Sequence, residues 1–143
     1  MDDNSSNIDQ ALLQAYLSTD YRLLNTSIVI KIGTINPDLD SFIIDNNAYS
    51  WVFISAENPR SIRLKPEENQ QNHLKLLKMA QKRGYEYWEG IGEGKDGKWP
   101  AEQSLLILDL STNEILELAK HFTQNAVVVG QLNQKSRLLW TNT

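Results

Sequence analysis

Apolar residues along the chain alternate between two spacings, and the switches between them divide it into elements. Ile8, Ala11, Leu12, Ala15 and Tyr16 recur at helical spacing and predict a short amphipathic helix over residues 8–18. From Ser27 to Gly33 the pattern changes to alternation, with Ile28, Ile30 and Ile32 on one face, which predicts a strand ended by Gly33. Asn36 then offers an N-cap and Pro37 a first helical position for a helix that carries Leu39, Phe42 and Ile43 and stops near Asn46 and Asn47. Tyr49 to Ala56 is almost continuously apolar, as expected of a central strand covered on both faces.

Pro66, with Glu67 and Glu68 in the first turn, opens the longest predicted helix, and Gly84 closes it. Its core stripe is expected to be Leu74, Leu77 and Met79 or Ala80, with His73 on the surface. Tyr85 to Ile91 reads as a strand followed by a turn-rich connection over residues 90–100, and Gln103 to Leu110 as a second central strand. Ser111-Thr112-Asn113-Glu114 is a capping box, the most sharply defined boundary in the chain, ahead of a helix bearing Ile115, Leu118, Ala119 and Phe122. Residues 125–130 and 136–141 read as a terminal hairpin. This order implies an α+β fold, a mixed but largely antiparallel sheet packed with about four helices. A 143-residue chain with 41% hydrophobic and 22% charged residues has the composition of one folded domain, assigned to residues 8–143, behind an acidic, disordered tail at 1–7.

Several classes of chemistry are excluded or weakened. The chain has no cysteine, which removes disulfides, thiol nucleophiles and cysteine-bound metals. His73 and His121 stand 48 residues apart and outside any metal-binding spacing, so no metal and no cofactor is expected. No apolar run approaches the roughly 20 residues of a membrane helix, and the acidic, polar start is unlike a signal peptide, which predicts a cytoplasmic protein. Residues 60–83 hold seven basic side chains against Glu67 and Glu68, but no aromatic residue, and the whole chain carries a net charge of −4. That combination argues against nucleic acid and leaves a local anion site open. Gly90, Gly92, Gly94 and Gly97 do not form a phosphate loop, because they lead toward a strand instead of a helix and no Gly-Lys-Ser/Thr follows.

The most informative segment is Trp51 to Ser61, an apolar strand that ends abruptly in Glu57-Asn58-Pro59-Arg60-Ser61. Polar, backbone-restricting residues at a sheet edge are well placed to meet a ligand. Together with Tyr16 to Tyr21, Phe53 to Ser61, Glu68-Asn69, Gly92 to Ser104 and Phe122 to Ala126, this segment resembles a bacterial family known as domain of unknown function 3293, over about residues 10–130. The chain departs from the family pattern at Glu57, where an uncharged residue is usual, and at Thr123, in place of glycine. The resemblance implies a compact, stand-alone bacterial cytoplasmic protein without an established activity.

It also directs attention to one edge of the sheet. If strands 104–110 and 126–130 both run antiparallel to 50–56, then Asn58, Arg60 and Ser61 meet Trp99, Glu102, Gln124 and Asn125. The expected function is binding of a small polar or anionic molecule, such as a nucleotide or its fragment. Arg60 would hold the negative group, Asn58, Gln124 and Asn125 would orient it beside Ser61, and Trp99 would cover an apolar face. Two alternatives stand beside it. One is a hydrolase-like enzyme with Glu102 as general acid or base, and the other is a protein-interaction module using helix 66–83 or loop 90–100. The same polar residues also have structural uses as turn formers and carbonyl partners.

Overall fold

Pairing of the alternating segments produces one seven-stranded sheet, seen in a computed structural model that describes residues 10–95 and 100–141. The helices are α1 (Gln10–Leu17), α2 (Pro37–Asp45), α3 (Pro66–Arg83) and α4 (Thr112–His121). The strands are β1 (Thr19–Leu23), β2 (Val29–Ile30), β3 (Ser50–Ser55), β4 (Tyr87–Gly94), β5 (Glu102–Leu108), β6 (Ala126–Gln131) and β7 (Arg137–Trp140). Their spatial order is β2-β1-β4-β5-β3-β6-β7, and every pairing is antiparallel. The architecture is α+β, as the element order implied. The start of the first predicted helix and the acidic tail lie outside the described residues.

Residues paired across antiparallel strands point to the same side, so register alone sorts the core into two faces. Trp51, Phe53 and Ser55 of β3 pair with Leu108, Leu106 and Ser104 of β5 on one face. Val52 and Ile54 pair with Ile107 and Leu105 on the other. The second face packs against α3 and α4 through Leu76, Ala80, Ile115, Leu118 and Ala119. The first packs against α2 through Leu39 and Ile43, beside Trp51, Phe53, Leu106 and Leu108. Both faces of β3 and β5 are therefore covered, which is why those strands read as unbroken apolar runs.

The predicted boundaries hold where a side chain dictates them. Asn36 accepts the Leu39 N–H at 3.0 Å, and Ser111 and Glu114 exchange the two bonds of the capping box at 3.1 and 2.9 Å. Gly84 closes α3 in the left-handed conformation with φ 71°.

Three expectations are corrected. β1 was not foreseen, because Thr-Asp-Tyr-Arg-Leu buries only Tyr21 and Leu23 and its apolar signal is too brief to stand out. The strand expected over 27–33 contracts to Val29–Ile30, although Ile28 and Ile30 face the core as anticipated. The buried stripe of α3 is Asn69, His73, Leu76 and Ala80, rotated from the predicted one, and Leu74 is 44% exposed. Helix periodicity admits either face when polar residues occupy the inward positions, and here two of the four buried residues are polar.

His73 is thus an interior residue. Neither ring nitrogen has a hydrogen-bond partner, and Nε2 stands 3.6 Å from a Glu89 carboxylate oxygen, too far for a hydrogen bond. Burial holds its pKa below the ordinary histidine range, with Glu89 pulling weakly the other way. The folded chain resists protonation that the unfolded chain accepts, so this part of the stability is present above the ordinary histidine pKa and lost as pH falls through the folded one. His73→Leu should stabilise the fold by about 1 kcal/mol at neutral pH by removing unsatisfied polar atoms from the core. Urea denaturation of both proteins between about pH 7 and pH 5 should show the gap widening as pH falls. A constant or shrinking gap would mean that His73 does not titrate in this way.

Candidate functional site

The face of the sheet that packs against α2 is filled over only part of its length, and a run of small residues explains why. Gly90, Gly92 and Gly94 alternate along β4 and therefore share one face, opposite Ser104 and Glu102 of β5. At Gly90 the space is taken by Phe53, whose ring would lie 2.6 Å from an added Cβ. At Gly92 an added Cβ would meet nothing closer than 3.7 Å, in the Thr19 and Tyr21 side chains. Beyond Phe53, then, small side chains floor a cavity of about 280 Å³. Gly92, Gly94, Ser55 and Ser104 lie along the floor, Thr19 and Tyr21 form a wall, and Leu12, Ala15 and Tyr16 of α1 face them.

The polar end of the cavity is built by the turn after β3. Asn58, Arg60 and Ser61 have φ of 48°, 57° and 60°, so three of four consecutive residues are left-handed and none is glycine. Asparagine tolerates this conformation; arginine and serine do so less readily, and strain of this kind persists only where surrounding bonds enforce it. Those bonds are present. Asn58 N–H donates to Asn69 Oδ1 at 2.8 Å, and Asn58 Oδ1 accepts from Leu64 N–H and Asn69 Nδ2, each at 2.9 Å. The Arg60 N–H donates to the Thr123 carbonyl at 2.7 Å. Asn58 Nδ2 is left to donate to Glu102 Oε2, at 2.7 Å, on the cavity wall.

The antiparallel geometry brings most of the expected residues together. Asn58, Ser61, Glu102 and Gln124 line the cavity, and Asn125 Nδ2 donates to Ser61 Oγ at 2.9 Å just behind them. Arg60 is exposed and is not among the lining residues. Trp99 lies outside the described residues. Glu57 is buried and accepts the Gln103 N–H at 2.7 Å, clamping the end of β3 to the start of β5. Burial raises its pKa and the neighbouring Glu102 charge raises it further, against the lowering effect of that N–H.

Sequence reasoning missed the cavity's other half, Tyr16, Thr19, Tyr21 and the glycine floor. The strand was expected to end at Ile91 and residues 92–94 to belong to the turn-rich connection, yet β4 runs on to Gly94, and the Gly-x-Gly-x-Gly spacing at period two was the available signal for a shallow sheet face. Among the described residues, no group of three or more acidic or histidine side chains is placed to hold a metal.

The lining side chains also differ in what they can still offer. Asn58 Nδ2 is committed to Glu102, and Gln124 Nε2 to the carbonyls of Glu57 at 3.0 Å and Phe122 at 3.3 Å. The hydroxyls of Tyr21, Ser18, Thr19 and Ser104 donate to the carbonyls of Tyr16, Ala15, Ala15 and Glu102. Ser55 and Ser61 accept from Glu57 N–H and Asn125. Tyr16 has its pKa raised, chiefly by burial, and keeps its proton at neutral pH.

Two stability contrasts follow. Gly90→Ala should destabilise by about 1–3 kcal/mol through its clash with Phe53, whereas Gly92→Ala should be nearly neutral; thermal melts of the two variants distinguish a packed glycine from a cavity glycine. Asn58→Ala should destabilise by roughly 2–3 kcal/mol, because it strands the Leu64 N–H and the Asn69 amide and places alanine at positive φ. Loss of less than about 0.5 kcal/mol in urea denaturation would show that Asn58 does not organise the turn.

Comparison with known proteins adds the family. Residues 54–127, a little over half of the chain, match the model of a family described as protein of unknown function (DUF3293). The matched span runs from β3 to the start of β6 and includes Asn58, Arg60, Ser61, Asn69, Gly92, Glu102, Gln124 and Asn125, while α1 and β1 lie before it. No curated protein and no solved structure matches the chain. On the family match, the chain belongs to the DUF3293 family.

Proposed function

We propose that this chain binds a small polar molecule in the cavity between α1 and the sheet. The observation that carries the reading is the cavity itself: about 280 Å³, lined in part by apolar side chains such as Leu12, Phe53 and Val128, with Glu102, Asn58, Ser61 and Gln124 converging at one end. A volume near the lower bound of small-molecule sites, with few polar groups gathered at one point, suits a ligand that has an apolar body and one polar head. The strained turn supports the same reading. A backbone held left-handed at Arg60 and Ser61 is stabilised by bonds to Thr123 and Asn125, and its outcome is to present Ser61 and Asn58 to the cavity. Arg60, expected to hold an anion, gives no support to an anionic ligand here, since its side chain does not line the cavity.

A second reading has its own observation. Glu57 and Glu102 are neighbouring carboxyl groups at one end of the cavity, and burial raises the Glu57 pKa; paired carboxyls in unlike environments are the arrangement that general acid–base chemistry uses. Glu102 lines the cavity, so it would touch the substrate, while Glu57 would act by positioning it.

The test is a fragment titration followed by amide NMR on the whole protein. Binding compounds should shift amides of Gly92, Gly94, Ser104 and Ser61 together, and Gly92→Leu, which extends a side chain into the open space above β4, should abolish those shifts without lowering the melting temperature. Shifts that cluster elsewhere, or that survive Gly92→Leu, would sink the cavity reading. Compounds that bind are then incubated with wild type and Glu102→Gln; conversion by wild type alone, with binding retained in the variant, would establish the enzyme.

A further inference from the structure

The face of the sheet that holds the cavity is filled by a repeated device, an aromatic ring laid over a glycine. Trp51, Phe53 and Ser55 alternate along β3 and share that face. The Trp51 ring lies on Gly130, 2.4 Å from where a Cβ would stand, and the Phe53 ring lies on Gly90, at 2.6 Å. Because β5 separates β3 from β4, Phe53 reaches across a whole strand to cover Gly90, and it meets Tyr21 edge to face at 5.4 Å. The Arg22 carbonyl also borders that space. Ser55 has no such reach, and there the layer is open. Gly92 and Gly94 line the cavity, whereas Gly90, on the same face of β4, does not, and Phe53 itself is part of the lining. The ring is thus the wall at which the glycine floor ends.

Granting the cavity as the ligand site, we infer that Phe53 determines the size of ligand it accepts: a polar head with an apolar body no longer than one ring or a short chain. The polar groups and the ring stand at opposite ends. Glu102 pairs with Gly92, whereas Phe53 pairs with Leu106, four residues farther along β5 on the same face. A ligand whose head lies among Asn58, Ser61 and Gln124 extends its apolar body over Gly92 toward Phe53 and ends there. An apolar cavity of roughly 150 Å³ admits benzene, so about 280 Å³ leaves room for one ring or a short chain and a head group. Removing the Phe53 ring uncovers Gly90 and lengthens the floor by one two-residue step, about 6.8 Å of strand.

Straight-chain primary alcohols from butanol to decanol test this, since their head both donates and accepts and their length is the single variable. Titrations followed by amide NMR on the whole protein should show wild-type affinity rising about threefold to fourfold per methylene, then levelling or falling once the chain meets Phe53. Phe53→Leu and Phe53→Ala should move that ceiling by at least about two carbons. Ile54→Ala, next along the strand but on the opposite face, should leave the ceiling in place although it also loosens the core. If the ceiling is absent from wild type, stays put in the Phe53 variants or moves equally in Ile54→Ala, Phe53 does not set the limit, and the cavity reading stands as long as Gly92→Leu abolishes binding. If no alcohol binds in a way that Gly92→Leu abolishes, both fall. Should neither Phe53 variant fold, nuclear Overhauser contacts in wild type between the terminal methyl of the longest accepted alcohol and the Phe53 ring decide the matter: their presence supports the wall, and their absence from a bound complex overturns it.

Discussion

The side chain of Asn58 is the constraint on which the rest of this protein's candidate site depends. One amide ties three things together: the turn after β3, through the Leu64 N–H; the first part of α3, through Asn69; and the cavity wall, through Glu102. Each bond is buried or partly so, and an unmade bond there would leave a polar group without water. Asparagine is suited to this use because it offers donors and an acceptor on a short stem and tolerates positive φ. The turn is thereby held in a conformation that Arg60 and Ser61 would not adopt alone, and Ser61 is fixed at the cavity.

Around this hub, the sheet supplies shape more than chemistry. Antiparallel pairing of β5 and β6 on either side of β3 brings the start of two strands to the end of a third, so side chains separated by more than 40 positions become neighbours. The bulk of Phe53 and the absence of bulk at Gly92 and Gly94 then set where the apolar layer is filled and where it is open. A cavity of this kind is expensive in packing terms, since well-packed interiors leave few voids. It persists here because α1 covers a floor that small residues cannot fill.

The opposite face shows a different compromise. α3 brings Asn69 and His73 inward on the same stripe as Leu76 and Ala80. Asn69 is satisfied by Asn58, whereas His73 is not satisfied by any hydrogen bond, and its burial disfavours the charged form. The same helix thus carries one buried polar residue that is hydrogen-bonded and one that is not, a single turn apart. The stripe is polar because its first turn must meet the site, and the register that places Asn69 against Asn58 also turns His73 into the core.

Much of the fold was legible in the sequence, since it is written in local terms. Asn36, Ser111 with Glu114 and Gly84 mark helix ends by bonds or conformations that need only near neighbours, and the apolar runs of β3 and β5 announce strands covered on both faces. The meeting of Asn58 and Ser61 with Glu102, Gln124 and Asn125 was accessible too, because it requires only that neighbouring strands be antiparallel. β1, the inward face of α3 and the half of the cavity made by Tyr16, Tyr21 and Gly92 were not, for they depend on which strand lies beside which. That Arg60 faces solvent was not legible either: its backbone is left-handed, with a φ of 57°, and its N–H donates to the carbonyl of Thr123, 63 positions away. Sequence by itself determined the elements, their ends and the polar cluster; tertiary structure alone decided the cavity, because volume is a property of what remains after all the other contacts have formed.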